Sequence, residues 1–373
     1  MTERPTRVLL LGAYGFFGSR IAAGLTRNPR LQLVLAGRDE KKATELAYQL
    51  GLTAAHARAI DATDGRLAIL LKKLGIQVLI HTAGPFQEQS YGVAQAAIAA
   101  GCHYLDLADG RAFVCGITRL DAAARAAGVS VVSGVSSLPA LSAAVVDRYL
   151  PEFSRLDEIR IGISSGAVVP GTATIRSVFG YCGQQFLALE DGQWIDVYGW
   201  LDTIEHEFPK QVGVRPLGRC DVPDLELLPK RYPGVRSVSF HAGFASQTAH
   251  RCIEWLAQRV HDGKLDSLLP LSRPIATLAR WLQPVFSDRG AMFVTLEGLD
   301  EDGAQHRVKW NLVARENHGP NIPCAAAIAL TGKIAAGAGP APGAAPCMGM
   351  LSVEDILEPL KGLSIRELAP MAP

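Results

Sequence analysis

Three glycines follow a short apolar segment near the start of the chain, and their spacing limits the possible folds more than any other feature. The segment covers residues 8–11, and the glycines are Gly12, Gly15 and Gly18. A second apolar segment, residues 31–36, ends at Gly37. This order predicts a strand, a tight turn, a helix and a second strand. A unit of that kind begins a doubly wound parallel sheet.

Each of these glycines has a place in the binding of a dinucleotide. Gly12 lets the chain turn sharply out of the strand, and Gly18 lets the helix pack close to the sheet. Gly15 lets a pyrophosphate approach backbone N–H groups at the positive end of the helix. The spacing GxxGxxG is one residue wider than the GxGxxG fingerprint, so a turn without a ligand is the alternative. The position between a strand and a helix favours a cofactor loop. We also assign to this loop its aromatic residues Tyr14, Phe16 and Phe17.

The residues after the second strand bear on which cofactor binds. A NAD site usually has Asp or Glu there, which accepts a hydrogen bond from the ribose 2′-hydroxyl. This chain has Gly37 and then Arg38, whose guanidinium suits a 2′-phosphate. Asp39 is expected to cap a helix over residues 40–50. We therefore predict that the chain binds NADP, with NAD as the alternative. We add Asp61, which ends the third strand, to the cofactor-binding residues.

The loop after the fourth predicted strand should contact the ribose and nicotinamide of the cofactor. Its residues are Thr82, Ala83, Gly84, Pro85 and Phe86. The small side chains at Ala83 and Gly84 permit close approach, and Pro85 stiffens the bend. An ordinary strand-to-helix turn is the alternative reading.

Hydride transfer needs the nicotinamide carbon within about 3.5 Å of the substrate carbon, together with a proton donor. Asp106 and Asp109 lie where the fifth strand ends, and a buried aspartate can have a raised pKa. Asp109 and His318 are the predicted catalytic residues, while Asp106 can equally bond to local backbone and Tyr104 is predicted to lie in the core. Four arginines of the second half either clamp a substrate carboxylate or are solvated. They are Arg176, Arg219, Arg231 and Arg251.

Strand and helix patterns alternate over residues 1–150, which predicts an α/β Rossmann domain with a doubly wound parallel sheet. Residues 151–317 predict a second, α+β domain with a mixed sheet, including a hairpin of strands 292–299 and 306–314. Residues 205–234 and 337–346 are rich in Pro and Gly and predict loops. A helix from Pro320, with Pro320 in its first turn, is expected to return residues 318–373 to the Rossmann side, so that His318 and Asn321 line the cofactor cleft.

Composition excludes several classes of function. The 373-residue chain has a net charge of +1 and no basic stripe, so we expect no nucleic-acid partner. Its seven cysteines are scattered and form no CxxC, and the histidines form no metal-ligand pair. This pattern is typical of reduced thiols in a cytoplasmic protein without a bound metal. No apolar segment reaches the roughly 18 residues of a membrane span, and no signal peptide is recognisable, so we expect no membrane association.

Several segments resemble one family, the saccharopine dehydrogenase-like oxidoreductases. The first three are 12–18 (GAYGFFG), 36–39 (AGRD) and 81–86 (HTAGPF). Less specific matches follow at 101–107 (GCHYLDL), 133–139 (SGVSSLP), 318–323 (HGPNIP) and 346–349 (PCMG). The resemblance spans nearly the whole chain. It implies a Rossmann domain that binds NADP or NAD, a mixed-sheet second domain and a C-terminal segment that returns to the Rossmann side.

Characterised members of this family transfer hydride at carbon–nitrogen centres of saccharopine and related amino acids. The resemblance therefore implies an NADP-dependent oxidoreductase acting on a small amino-acid-derived substrate, and we expect a homodimer. Two departures from the family pattern weaken the inference of its substrate for this chain. Residues 108–109 are Ala-Asp where relatives often have Gly-Glu, and residues 140–142 are Ala-Leu-Ser where they often have Asp. The alternatives are a non-catalytic NADP-binding redox sensor or regulatory protein, and a reductase of C=C or C=O bonds on the same scaffold.

Overall fold

Strands and helices alternate through the first third of the chain, as the sequence predicts. In the computed structural model, residues 4–87, 89–166, 171–282 and 287–368 are described. The first strands are β1 Thr6–Leu11, β2 Leu31–Gly37, β3 Ala57–Ala59, β4 Val78–His81, β5 His103–Asp106 and β6 Ser130–Ser133. The first helices are α1 Gly18–Leu25, α2 Glu40–Gln49, α3 Leu67–Lys73, α4 Gly92–Ala100, α5 Arg111–Gly116 and α6 Asp121–Ala126.

The middle of the chain mixes hairpins with helices. Its strands are β7 Arg155–Ser165, β8 Gln185–Glu190, β9 Gln193–Tyr198, β10 Ile204–Glu207, β11 Val214–Arg219, β12 Ser237–Phe244, β13 Gly290–Leu299 and β14 Gln305–Ala314. Its helices are α7 Ser142–Tyr149, α8 Thr172–Tyr181, α9 Asp224–Arg231, α10 Gln247–His261 and α11 Ser272–Leu282. The C-terminal elements are α12 Ile322–Ala335, β15 Gly343–Pro346, α13 Val353–Leu357 and β16 Ile365–Leu368.

The described residues divide into two compact units. The first unit holds the residues up to Leu141 together with Asn321–Leu360, and the second holds Ser142–Pro320 and the residues from Lys361. The sequence placed these boundaries at residues 150 and 318 and returned the whole C-terminal segment to the first unit. In the structure, β16 instead pairs with β14 in the sheet of the second unit.

A parallel sheet of seven strands forms the centre of the first unit, which confirms the predicted fold class. The strand order is β15-β6-β5-β4-β1-β2-β3, and every adjacent pair is parallel. Side chains such as Leu9, Leu79 and Tyr104 are fully buried in its core. The chain order reverses between β1 and β4, so the loops after these two strands border the crevice in which such sheets bind ligands.

A mixed sheet of nine strands forms the centre of the second unit. Its main order is β10-β11-β12-β7-β13-β14-β16, and β8 joins at β12 and carries β9. Strands β7 and β12 are parallel, whereas the other neighbours are antiparallel. Helices α7, α9 and α10 pack on β13, β12 and β11. No helix in the described ranges is long and apolar enough to cross a membrane.

Some predicted loops are regular structure. The expected loop 205–234 contains β11 and α9, and the expected loop 337–346 contains β15, so both expectations are wrong. These elements contain proline and glycine, which are typical of loops, so the sequence does not indicate the strands and the helix. By contrast, the hairpin β13–β14 is confirmed, with its turn at residues 300–303.

Candidate functional site

The loops after β1 and β4 are joined directly by one threonine. Gly12 has a φ of +86°, and a Cβ added there would lie 2.7 Å from Thr82 Oγ1. The N–H and the hydroxyl of Thr82 both donate to the Leu11 carbonyl, each at 2.9 Å. A left-handed glycine and a short polar side chain therefore bring the two loops into contact at the crevice.

The glycine loop presents backbone donors without acceptors. The Gly15 N–H donates to the Gly12 carbonyl at 2.9 Å, which closes the turn. The N–H groups of Tyr14, Phe16 and Phe17 donate to no other described residue. Helix α1 begins at Gly18 with no acidic residue in its first turn. Unpaired N–H groups at the positive end of a helix form a binding site for an anion such as a pyrophosphate.

At the end of β2, Tyr14 packs against the glycine that precedes Arg38. A Cβ on Gly37 would lie 2.5 Å from the Tyr14 ring, and the Tyr14 hydroxyl accepts the Asp39 N–H at 3.0 Å. The Asp39 carboxylate accepts the N–H groups of Lys41 and Lys42 at 3.0 and 3.2 Å, which confirms that it caps α2. Arg38 is exposed and forms no ion pair with a described residue.

Asp61 lies close enough to Arg38 to be influenced by its charge. Its carboxylate accepts the N–H of Thr63 at 2.9 Å and the hydroxyl of Thr63 at 2.8 Å. These hydrogen bonds, and then the Arg38 charge, lower the pKa of Asp61. The Asp61 carboxylate is therefore engaged in hydrogen bonds within its own turn. Its contribution to cofactor binding stays a prediction.

The loop after β4 is supported from below. Gln89 Nε2 donates to the carbonyls of Ala83 and Pro85 at 2.8 and 2.7 Å, which fixes the bend. Phe86 is buried, and its ring lies 5.0 Å from the His81 ring and 5.4 Å from Phe113. Phe86 therefore acts through packing, whereas the side chains of Thr82 and Ala83 are partly exposed at the crevice.

Asp106 ties the end of β5 to the end of β6. Its Oδ1 accepts the Ser133 hydroxyl at 2.9 Å, the Gly134 N–H at 2.9 Å and the Ala108 N–H at 3.0 Å. Complete burial raises the pKa of Asp106 to about 6, against the lowering effect of these bonds. Tyr104 is fully buried beside it, as predicted, and its hydroxyl lies 3.1 Å from His81 Nδ1. Asp106 is thus a structural residue without solvent contact.

Asp106→Asn is expected to remove a pH dependence of stability. The pKa of Asp106 is about 6 in the folded chain against an ordinary 3.8, so its stabilisation is present below pH 3.8 and is lost as the pH rises through 6. Asparagine cannot ionise and keeps an oxygen acceptor. The free energy of unfolding of the variant, relative to the wild type, should therefore rise by about 2 kcal/mol between pH 4 and pH 7. Urea unfolding across this range measures the difference.

A matched variant should show a change of stability with pH in the opposite direction. Asp64 is partly exposed on the same unit, and hydrogen bonds from Arg66 lower its pKa. Asp64→Asn should therefore lose stability relative to the wild type as the pH rises. A difference between Asp106→Asn and the wild type that stays constant with pH would contradict the assignment of Asp106.

Asp109 lies beside the loop that follows β4. Its side chain is half-buried, and its Oδ1 accepts the amide of Gln87 at 3.1 Å. A Cβ on the next residue, Gly110, would lie 3.4 Å from the Gln87 backbone. The carboxylate is therefore held next to the cofactor loop, at the carboxyl edge of the parallel sheet.

His318 belongs to the second unit. Its Nδ1 accepts the Ser364 N–H at 2.9 Å, so the ring proton is on Nε2 when the imidazole is neutral. Helix α12 begins at Ile322 with Pro323 in its first turn, so the predicted start at Pro320 is wrong. Pro320 instead lies in a single 3₁₀ turn over Gly319–Asn321.

Helix α12 packs beside α1 in the first unit and runs in the same direction. The Cys324 thiol donates to the Phe17 carbonyl at 3.6 Å, and the Ile328 side chain packs on Gly24. The start of α12 therefore lies next to the glycine loop. The sequence predicts this helix and the return of the chain to the Rossmann side, but not the packing of α12 on α1.

Two of the four arginines considered as carboxylate clamps are already paired. Arg231 donates to both oxygens of Asp147, and Arg219 bonds to Glu190. Arg176 and Arg251 are exposed. Carboxylates of the second unit therefore occupy Arg219 and Arg231, and Arg176 and Arg251 stay the candidates for a substrate clamp.

Sequence reasoning missed two residues of the cofactor edge. Gln89 supports the loop after β4, and Arg20 lies in the first turn of α1, where it donates to the Phe16 carbonyl. A signal for Arg20 was present, since a cation in the first turn of a helix is unfavourable unless an anion is near. Gln89 had no comparable signal.

Comparison with known proteins agrees with this geometry. Residues 8–132 match the family model for the saccharopine dehydrogenase NADP binding domain. No curated protein matches the chain. Among solved structures, apo saccharopine dehydrogenase (L-Glu forming) from Saccharomyces cerevisiae is similar over 98% of this chain and 100% of its own, with a TM-score of 0.66 and 13% identity.

An amine dehydrogenase from Mycobacterium smegmatis is similar over 95% of this chain and 96% of its own, with a TM-score of 0.51 and 12% identity. At these identities the two structures establish the fold, and the family match establishes the cofactor domain. Residues 8–132 therefore match the saccharopine dehydrogenase NADP binding domain, and the chain as a whole shares the fold of these two dehydrogenases.

Proposed function

We propose that the chain transfers hydride between NADP and a carbon–nitrogen centre of a small amino-acid-derived substrate. The observation that carries this proposal is the edge where the glycine loop and the loop after β4 meet through Thr82. The bound nicotinamide would supply or accept the hydride. The chain's own residues hold the cofactor through the unpaired N–H groups of the glycine loop and shape the crevice beside it.

The names of the two fold relatives support the carbon–nitrogen centre. One is a saccharopine dehydrogenase and the other an amine dehydrogenase, and both names denote oxidation or formation of a carbon–nitrogen bond.

The test of the proposed function is NADPH consumption with a panel of oxo acids, each mixed with an amine or amino acid. Turnover with at least one pair supports the proposal. Turnover with unsaturated or carbonyl substrates and with no amine present would replace it by a C=C or C=O reductase.

Asp109 and His318 are the residues we propose for proton transfer. Asp109 is supported by its half-buried position beside the cofactor loop. His318 is supported by a fixed tautomer, because the Ser364 N–H donates to Nδ1 and the ring proton of the neutral imidazole is therefore on Nε2. We further propose that the chain forms a homodimer and acts in the cytoplasm, where its seven free cysteines would stay reduced. Light scattering of the purified protein would show a monomer mass if the dimer is absent.

Arg38→Ala is expected to weaken NADP binding about tenfold to a hundredfold and to leave NAD binding almost unchanged. Arg38 is exposed at the end of β2 and has no carboxylate partner among the described residues, so its guanidinium is available to a 2′-phosphate. Calorimetric titration of both cofactors into both proteins measures the effect. Arg30→Ala, an exposed arginine just before β2, is the control. Equal losses for the two cofactors would contradict the phosphate assignment.

A further inference from the structure

Arg20 is attached to the glycine loop by two contacts. It lies in the first turn of α1, and its guanidinium donates to the Phe16 carbonyl. The guanidinium carbon also lies 4.3 Å from the centre of the Phe16 ring, within cation–π distance. The side chain is therefore held at the loop rather than extended into solvent, and it is only partly exposed.

The charge of Arg20 has no counter-ion among the described residues. It forms no ion pair with a described carboxylate, and the first turns of α1 and of the neighbouring α12 contain no acidic residue. Both helices begin at this place, so the positive ends of their dipoles add positive potential. Arg20 is partly buried, and this burial lowers its pKa. A cation in these surroundings is unfavourable unless an anion binds.

The backbone around Arg20 provides the remaining contacts for such an anion. The N–H groups of Tyr14, Phe16 and Phe17 have no described acceptor. They lie in the loop on which Arg20 is held, and Arg20 keeps further guanidinium N–H groups beyond the one that bonds to Phe16. One charged side chain and three backbone donors can therefore act together on a single anionic group.

We propose that Arg20 is a ligand of the cofactor pyrophosphate and supplies the charge that neutralises it. This proposal rests on the proposed function, because it concerns the same NADP site. It assigns separate phosphates to separate arginines, with Arg38 at the 2′-phosphate and Arg20 at the pyrophosphate. NADP, NAD and ADP-ribose all contain the pyrophosphate, so Arg20 should contribute equally to the binding of all three.

Arg20→Gln is the variant that tests this assignment. Calorimetric titration with NADP, NAD and ADP-ribose should show all three weakened by about tenfold to a hundredfold. The loss should shrink as salt is added, because ionic strength screens the charge that was removed. Arg27→Gln is the matched control. It removes the same charge just beyond the other end of α1, where Arg27 is exposed, and it should leave all three affinities within about twofold of the wild type.

Additional readouts separate a cofactor ligand from a structural role. The apo Arg20→Gln protein should melt at the temperature of the wild type or above it, because an uncompensated cation has been removed. Arg20→Lys should recover part of the affinity, since it keeps the charge but not the planar fork. In the Arg20→Gln, Arg38→Ala double variant, the fold-losses for NADP should multiply.

Several outcomes would overturn the assignment. Unchanged affinity for NAD and ADP-ribose in Arg20→Gln would exclude a pyrophosphate contact, even if NADP binding fell. A loss of affinity that matches a lower melting temperature and does not vary with salt would show that Arg20 only supports the loop. A wild type that binds none of the three ligands would reject the proposed function itself, and this inference with it.

Discussion

Asp109→Asn is expected to lower kcat by about a hundredfold to ten-thousandfold while the affinity for NADP stays unchanged. Asparagine has nearly the same size as aspartate and can still accept the Gln87 amide, so the local structure should persist. It cannot exchange a proton with the substrate nitrogen, however. Steady-state kinetics with an active substrate pair, together with calorimetry of NADP binding, measure the two quantities separately.

The pH dependence of Asp109→Asn distinguishes proton transfer from positioning. If Asp109 exchanges the proton, one limb of the kcat/KM profile should disappear in the variant. Asp64→Asn removes a carboxylate of the same unit that is paired with Arg66, and it serves as the control with unchanged kinetics. A wild-type kcat in Asp109→Asn would reject Asp109 as the proton donor and leave His318 as the candidate to test in the same way.

The cofactor loop was predictable because glycine spacing reports backbone geometry directly. Gly12 needs a positive φ and a close approach to Thr82, and no other residue type satisfies both requirements without strain. Asp39 was predictable as a cap for a similar reason, since its side chain bonds to N–H groups only two and three residues away. Local requirements of this kind leave a clear trace in the sequence.

Elements that depend on tertiary contacts left weak traces. The strand β15 has the sequence Gly-Ala-Ala-Pro, which lacks β-branched and aromatic residues, and it exists because it pairs with β6. The strand β11 contains Pro216 and Gly218, but Leu217 is fully buried and fixes its place in the sheet. The hairpin β8–β9 did carry a signal, the Asp191-Gly192 pair at its turn.

The roles of the acidic residues could not be read from their positions. Asp106 and Asp109 are three residues apart at the end of the same strand, yet they lie in opposite environments. The buried Asp106 carboxylate accepts hydrogen bonds from Ser133 and Gly134, which are distant in sequence. Asp109 instead faces Gln87 and stays half-exposed. Only the alignment of β5 with β6 distinguishes the structural carboxylate from the candidate catalyst.

Gly18→Ala is expected to weaken the binding of NADP and NAD by about a hundredfold or more. A Cβ at this position would lie 2.2 Å from the Gly12 carbonyl oxygen and 2.9 Å from the Ala13 carbonyl oxygen. Both contacts are with backbone, so no side chain can rotate away to make room. The backbone between Gly12 and Gly18 must therefore shift, and the unpaired N–H groups of Phe16 and Phe17 shift with it.

The control for Gly18→Ala is a glycine of the same unit that has space around it. Gly65 has no heavy atom within 4 Å of an added Cβ and no positive φ, so Gly65→Ala should leave both affinities within about twofold of the wild type. Calorimetry with both cofactors, and melting of the apo proteins, measure the two variants. Wild-type affinity in Gly18→Ala would show that the helix start does not position the cofactor. A loss for NADP alone would also contradict the argument, because the displaced N–H groups would bind the pyrophosphate that both cofactors share.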